Sequence, residues 1–286
     1  MKASSMLRKL LFVAGLALAA GAGAQTPAFK PEVGQAGKDV VWVPTSDVLV
    51  SKMLDMAKAT PSDYLIDLGS GDGRTVIAAA KRGLKAHGIE YNPDMVTLSQ
   101  ANAAKAGVSD KVTFAKADIF QSDFSQASII TLFLLPDLNL KLRPIILNLK
   151  PGTRIVSNSF TMGDWEDDDT ATAGEGGDCS YWCIAHMWIV PAKVGGSWAV
   201  GKDSVVLNQK YQMLNGSMTK DGKKLVVKGK MRGDQINFDV ILPGDEKMKT
   251  KDELVSSYSG RASGNTIEGT VKTGTQSGKW VATRAK

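Results

Sequence analysis

A doubly wound α/β domain with a mostly parallel sheet, followed by a small all-β domain, is the fold class that three observations predict. First, strand-length apolar runs alternate with helical patterns from about residue 47 to residue 157. That rhythm belongs to a parallel sheet whose crossovers are helices. Second, the run Tyr64–Leu68 passes directly into Gly69-Ser70-Gly71-Asp72-Gly73 and then into a helical pattern, which reads as strand, tight turn and helix start. Third, helical periodicity disappears after about Gly195, and glycines and turn dipeptides take over. Those are hairpin signals.

The elements follow in order. Residues 25–40, with Pro27 and Pro31, read as an extended polar lead-in. A helix is expected over 47–58, because Val48, Leu49, Met53, Leu54 and Ala57 share one face. Tyr64–Leu68 is the first strand, 73–82 a helix, and Lys85–Glu90 the second strand. Pro93 opens a helix over 93–106, where its missing N–H costs nothing, and Gly107 ends it. Val112–Lys116 and 128–134 are strands, 138–148 a helix, and 153–157 the fifth strand. Residues 181–190, with 198–200, are expected to complete the sheet as an antiparallel edge. Beyond, Gly229 to Ile236 parallels Gly260 to Ile267, two strands meeting at Gly233-Asp234 and at Gly264-Asn265. Asn215-Gly216 and Asp221-Gly222 read as further hairpin turns. The expected division is residues 1–24, 25–194 and 195–286.

Chemistry concentrates in the glycine loop. Glycines let backbone approach a ligand closely, and a helix start offers free N–H groups to an anion. Seventeen residues after Gly73, Glu90 closes the second strand, where a Rossmann-like fold grips ribose hydroxyls. A nicotinamide site favours G-x-G-x-x-G with an apolar residue in the place of Asp67; this loop is G-x-G-x-G with an acid before it. At this point the sequence resembles the class I S-adenosylmethionine-dependent methyltransferases, with a seven-stranded sheet. The resemblance implies that Asp67, Gly69, Ser70, Gly71 and Gly73 hold the methionine end of that cofactor. It implies Glu90 for the ribose, and Asp118 with Ile119 for the adenine.

The resemblance narrows through Val43-Pro44-Thr45 upstream, Leu132-Phe133-Leu134-Leu135-Pro136 downstream, and Leu149-Lys150-Pro151-Gly152-Thr153-Arg154-Ile155-Val156-Ser157. Together with the loop they look like a protein-lysine methyltransferase family that includes enzymes modifying the ATP synthase c-ring protein and the adenine nucleotide translocase. It covers about residues 40 to 193. Thr45 is then expected near the cofactor's carboxylate. The acceptor pocket is expected after the fourth strand, at Leu135, Pro136 and Asn139. The Asn/Asp-Pro-Pro-aromatic signature of enzymes methylating base amino groups is missing there, which disfavours nucleic acid as partner.

Composition sets bounds. The 286 residues, 43% apolar, suffice for two modest domains with real cores. Lys2, Arg8 and Lys9 precede and flank an apolar run over 10–20 that ends near Ala22-Gly23-Ala24, the pattern of a secretory signal peptide over 1–24. Eleven apolar residues fall short of the roughly 20 needed to span a bilayer. The expected location is therefore periplasmic. The formal charge of +6 divides unevenly: residues 25–200 hold 16 basic and 20 acidic residues, residues 201–286 hold 16 and 9. A slightly acidic first domain suits a lysine-bearing target, and the scattered lysines of the tail suit a solvated β surface.

Cys179 and Cys183 are an even pair in an exported chain, which invites a disulfide. Residues four apart in a strand lie about 13 Å from each other, too far to bridge, whereas a turn permits it; the sequence leaves both states open. The two histidines, His87 and His186, carry no ligand cluster, so no metal is expected. The acidic run 164–169 reads as an exposed linker or as a rim attracting a cationic side chain. Methyl transfer from a sulfonium is an in-line displacement in which positioning and water exclusion do most of the work, so no catalytic base is assigned. Two functions follow. One is a methyltransferase acting on a protein lysine. The other is an exported binding or sensing protein that reuses the fold without turnover. A nicotinamide-linked oxidoreductase is disfavoured by Asp67.

Overall fold

The structure, a computed structural model, describes residues 29–174, 179–244 and 251–285. The chain divides into Met1–Lys30 and Pro31–Lys286, and all that follows belongs to the second unit. The expected signal peptide, residues 1–24, lies outside the described residues.

Helix α1 (Asp47–Met56) is capped by Ser46, whose Oγ accepts from the Leu49 N–H. Then come β1 (Tyr64–Leu68), α2 (Arg74–Lys81), β2 (Lys85–Glu90), α3 (Pro93–Lys105), β3 (Val112–Lys116), β4 (Ile129–Leu132), α4 (Pro136–Ile146), β5 (Arg154–Asn158), β6 (Asp169–Thr172) and β7 (Ile184–Ile189). The sheet order is β3-β2-β1-β4-β5-β7-β6, with the first five strands parallel and β7 antiparallel to both β5 and β6. This is the doubly wound sheet that the alternation predicted, with the seven strands that the methyltransferase resemblance implied. Central strands β1 and β4 are apolar but for Asp67 and Thr131 because helices cover both faces. On one face, Leu49, Met53 and Leu54 of α1 pack with Val76 and Ala80 of α2. On the other, Ile66, Ile130, Leu142 and Ile146 pack with Trp165 and Trp188. Each fully buried aliphatic side chain contributes about 1.5–3 kcal/mol.

A second body is a closed antiparallel barrel. Its strands are β8 (Gly196–Val200), β9 (Asp203–Lys210), β10 (Met213–Lys220), β11 (Lys223–Arg232), β12 (Gln235–Leu242), β13 (Glu253–Ser263), β14 (Thr266–Thr273) and β15 (Gln276–Arg284). Each strand pairs with the next, and β15 closes on β8 through Thr283–Ala199 and Arg284–Trp198. Side chains fill the interior: Phe238 stacks on Tyr258 with ring centroids 4.7 Å apart, and Trp280 meets both edge-on. The internal repeat is two equivalent hairpins, β11–β12 and β13–β14, turning at Gly233 and Gly264, both left-handed.

Three expectations change and one holds. Residues 198–200 belong to β8 of the barrel, not to the sheet edge; the edge is β6, a short strand of Asp, Thr and Ala with no apolar alternation. Asn215-Gly216 is not a turn but the middle of β10, where Gly216 is needed because a Cβ would sit 1.9 Å from the Val206 carbonyl oxygen. Asp221-Gly222 is a turn, both residues being left-handed. Residues 181–183 precede β7 as a loop, and there Cys179 and Cys183 are bridged with Cα atoms 5.8 Å apart.

The acidic run links β5 to β6 with Asp164, Glu166 and Asp169 exposed, as the linker reading expected, but it does more than connect. It binds the barrel. Asp164 accepts from Tyr211 Oη at 2.9 Å and from Arg143 Nη1 at 2.6 Å, and lies 3.0 Å from Lys210 Nζ. These partners, Lys210 foremost, hold its carboxyl down to about 2. Asp168, its side chain fully buried, pairs with Lys230 at 3.0 Å and accepts from the Ile189 N–H. Gln212 donates to the Glu166 carbonyl, and Trp165 stacks on Tyr211. Asp168→Ala is therefore expected to cost about 1.5–3 kcal/mol, the worth of hydrogen bonds to a charged group, measured by urea denaturation. Faster proteolytic cleavage near 191–195 should accompany it, reporting a loosened barrel.

Candidate functional site

The site is built at the C-terminal ends of β1, β2 and β3. At the tip of β1 the chain must turn sharply into α2. Gly69, Gly71 and Gly73 do so with φ of 80°, 54° and 82°, a region that L side chains rarely adopt. The Gly69 and Ser70 N–H groups both donate to the Ile89 carbonyl, which folds the loop across the tip of β2. A Cβ on Gly71 would lie 2.7 Å from Trp42 Nε1, across the pocket. Gly73 is not on the pocket wall. A Cβ there would strike Ser99 and Phe114, so it serves the packing of α2 on α3 and β3.

Asp67 is buried at the end of β1, and the parallel register sets it beside Thr131 of β4, whose Oγ1 donates to it at 2.7 Å. Burial pushes its carboxyl up to about 7, and the charges of Glu90 and Asp72 add to the push. Glu90, at the end of β2, is held by two backbone N–H groups, from Gly71 and from Asn92, each at 2.9 Å. Asp118 follows β3. It accepts from the Phe120 N–H and from Lys38 Nζ at 2.7 Å, and Lys38 foremost keeps its carboxyl below the ordinary range. Ile119 lines the same pocket, as do Thr45, Gly69, Ser70 and Gly71. Ser70 Oγ is buried and has no partner among the described residues.

On the acceptor side, Leu135 lines the pocket, whereas Pro136 and Asn139 do not. Pro136 is the exposed first residue of α4, since the helix starts two residues earlier than its apolar pattern indicates. Asn139 is fully buried and donates to the carbonyls of Phe160 and Thr161, so it buttresses the wall from behind.

Sequence reasoning missed the strap over the pocket. Residues 35–42 fold back on themselves: the Trp42 N–H donates to the Gln35 carbonyl, and Ala36 bridges Val41. Arg74 fixes the chain just after the strap, donating to the Thr45 carbonyl while forking onto Asp72. Asn158, at the end of β5, donates to Thr45 Oγ1 at 3.1 Å. No periodicity marks a strap; its one available signal was the short apolar run Val40-Val41-Trp42-Val43 closing a polar lead-in. His87 bonds Thr113 between β2 and β3 and does not line the pocket. Among the described residues no cluster of ligating side chains could hold a metal.

The site suits an elongated ligand with polar groups along its length: a buried carboxylate suited to a cationic partner, a glycine cradle, and a carboxylate at each of the next two strand ends. S-adenosylmethionine has that shape, and the unpartnered Ser70 Oγ adds a free polar group in the cradle.

A family model described as the ANTKMT methyltransferase domain matches residues 67–169. A protein-lysine N-methyltransferase of Saccharolobus islandicus (strain REY15A) is 39% identical over 140 residues, 48% of this chain and 87% of that protein. The Mus musculus adenine nucleotide translocase lysine N-methyltransferase is 35% identical over 141 residues, 49% of this chain, which spans 60% of the mouse protein. A crystal structure described as an RNA methyltransferase from Salinibacter ruber in complex with S-adenosyl-L-homocysteine shares 42% identity over 53% of this chain and 96% of its own, with a TM-score of 0.49. On the extent of the archaeal match, the chain belongs to the S-adenosylmethionine-dependent protein-lysine methyltransferase family.

Proposed function

We propose that the protein transfers a methyl group from S-adenosylmethionine to the side-chain amine of a lysine in a protein of the cell envelope. One observation carries the reading: Asp67, Glu90 and Asp118 stand at the ends of three adjacent parallel strands and line one pocket with the glycine loop. The names of the archaeal and mouse relatives support lysine as target. The apolar leader over 1–24 and the Cys179–Cys183 bridge support export, since disulfides persist in oxidising compartments. Among the described residues no helix is long and apolar enough to cross a membrane.

In this reading Asp67 and Thr45 face the methionine end, Glu90 the ribose, and Asp118 with Ile119 the adenine. Bound there, the cofactor supplies an electrophilic methyl carbon. A lysine amine must arrive unprotonated, against a solution pKa near roughly 10.4. A collar of Leu134, Leu135 and Phe133 lines the acceptor side of the pocket. Such apolar surroundings disfavour the ammonium, and its proton leaves to water before the amine enters. No side chain is assigned as base.

Labelled methyl groups from the cofactor, offered with envelope extract, should appear as methyl-lysine after acid hydrolysis of protein. Cofactor binding with no acceptor labelled in any fraction would instead favour the exported binding protein without turnover. Glu90→Ala and Asp67→Ala should each weaken S-adenosylhomocysteine binding at least tenfold by calorimetry, about 1.4 kcal/mol or more.

The raised Asp67 carboxyl gives a second test. Between its unfolded value, about 3.9, and its folded value of about 7, the folded chain holds a proton that the unfolded chain has lost. The stability this group contributes is thus full below the unfolded value and is lost as pH rises to the folded one. The cationic cofactor needs the carboxylate, so its affinity should rise about tenfold from pH 6 to pH 8, following the ionised fraction. Calorimetry at both pH values checks this, and Asp67→Asn should flatten the profile.

A further inference from the structure

We propose that Phe133, Phe160 and Trp182 form the aperture that recognises the acceptor's ammonium group, with Trp182 held in place by the Cys179–Cys183 bridge. The inference rests on the methyl-transfer reading and names the chemistry of its acceptor side: an alkylammonium on a slender chain.

The three rings come from distant segments, after β4, after β5 and before β7, yet converge. Their centroids lie 6.0 Å (Phe133–Phe160), 6.0 Å (Phe133–Trp182) and 5.2 Å (Phe160–Trp182) apart. All three line the pocket that holds Asp67 and Glu90. Folding did not need this cluster for a core, because Trp182 stays 48% exposed. Its backbone lies at φ 58°, left-handed, which is costly for a bulky side chain. The residue is one of three enclosed by the disulfide, and ring closure restrains a conformation that an open loop would abandon. A strained, exposed aromatic fixed by a covalent clamp at a pocket mouth points to a ligand.

Ring geometry selects the ligand. Aromatic faces attract cations, alkylammonium groups included, most strongly where water is partly excluded. The rings here are mutually inclined by 24°, 59° and 45°, which makes a cup. The most nearly parallel pair, Phe133 and Phe160, stands too close to admit a flat base between its members. The cup is set beside the apolar Leu134 and Leu135, so an ammonium gathered at the rim enters an environment that favours its neutral form.

The test uses small probes on the whole protein, with S-adenosylhomocysteine titrated separately in the same samples. Choline is the cation, 3,3-dimethylbutan-1-ol its uncharged isostere, and cytidine the stacking alternative, each followed by NMR. Choline should bind at least fivefold more tightly than the alcohol. Trp182→Ala should weaken choline at least tenfold, Trp182→Phe should restore part of it, and Cys179→Ser with Cys183→Ser should weaken it without changing S-adenosylhomocysteine affinity. Equal affinity for choline and the alcohol, a preference for cytidine, or choline binding indifferent to Trp182→Ala would each overturn the aperture. Should S-adenosylhomocysteine still bind and methyl-lysine still form in that case, the methyl-transfer reading stands and only the aperture falls; loss of both would overturn that reading as well.

Discussion

A carboxylate buried at the end of the central strand is the constraint on which the site depends. Asp67 sits where the strand order reverses, between β2 on one side and β4 on the other. In such sheets the reversal opens a crevice beyond the strand ends. Burying a charge there is costly, and the chain meets the cost in two ways: one hydrogen bond from Thr131, and a carboxyl raised far enough to stay neutral in mild acid. A cation delivered to the crevice removes the penalty. Neighbouring features then follow as conditions for delivering it. The loop must be glycine to leave room, and Glu90 must clasp the Gly71 N–H to fix it. The strap must be anchored to cover it, by Lys38 on Asp118 and by Arg74 on Thr45 just beyond.

The sheet was legible because its physics is local. Apolar runs of strand length, separated by amphipathic helices, leave few ways to fold. Glycines at every second position after Asp67 admit only a tight turn. Asp67, Glu90 and Asp118 could be placed because each ends a strand, and strand ends are marked by where an apolar run stops. What lay hidden depends on partners far away in sequence. β6 has no apolar alternation; it is a strand because β7 lies beside it. Gly216 next to Asn215 carries a turn's composition, yet it sits mid-strand because the Val206 carbonyl crowds it. The strap at 35–42 has no period at all; Asp118 holds its Lys38, and Arg74 and Asn158 hold Thr45 just beyond it, each supplied by another part of the chain. Pro136 and Asn139 were placed by proximity to a strand end, and the early start of α4 turned one outward and the other into the core.

Charge counting misled for a related reason. Five acids within 164–169 look like a surface field, but a field requires unpaired charge. Here three of the five are paired: Asp164 meets Arg143 and Lys210, Asp167 meets His186, and Asp168 meets Lys230. Lys210 and Lys230 come from the barrel. The excess of base in the tail and the excess of acid in the first domain are therefore partly two halves of one interface.

That interface gives the barrel a path to the pocket. Its interior is packed with Trp198, Phe238, Tyr258 and Trp280, so it holds side chains where a wider barrel would hold a ligand. Its outer Tyr211 instead stacks on Trp165 and binds Asp164. Trp165 is fully buried and bridges Met162. Arg143 of α4 donates to both the Met162 carbonyl and Asp164, and Asn139 of the same helix holds the carbonyls of Phe160 and Thr161. The segment 160–165 is thus gripped by α4 from one side and by the barrel from the other, with Phe160 at its pocket end. A change in how the barrel seats would be felt at Phe160 before it reached the glycine loop, which is anchored independently through β1, β2 and α2. In the proposed function the glycine loop holds the cofactor and the Phe160 side faces the acceptor, so the contacts of segment 160–165 would attach the barrel to the second task.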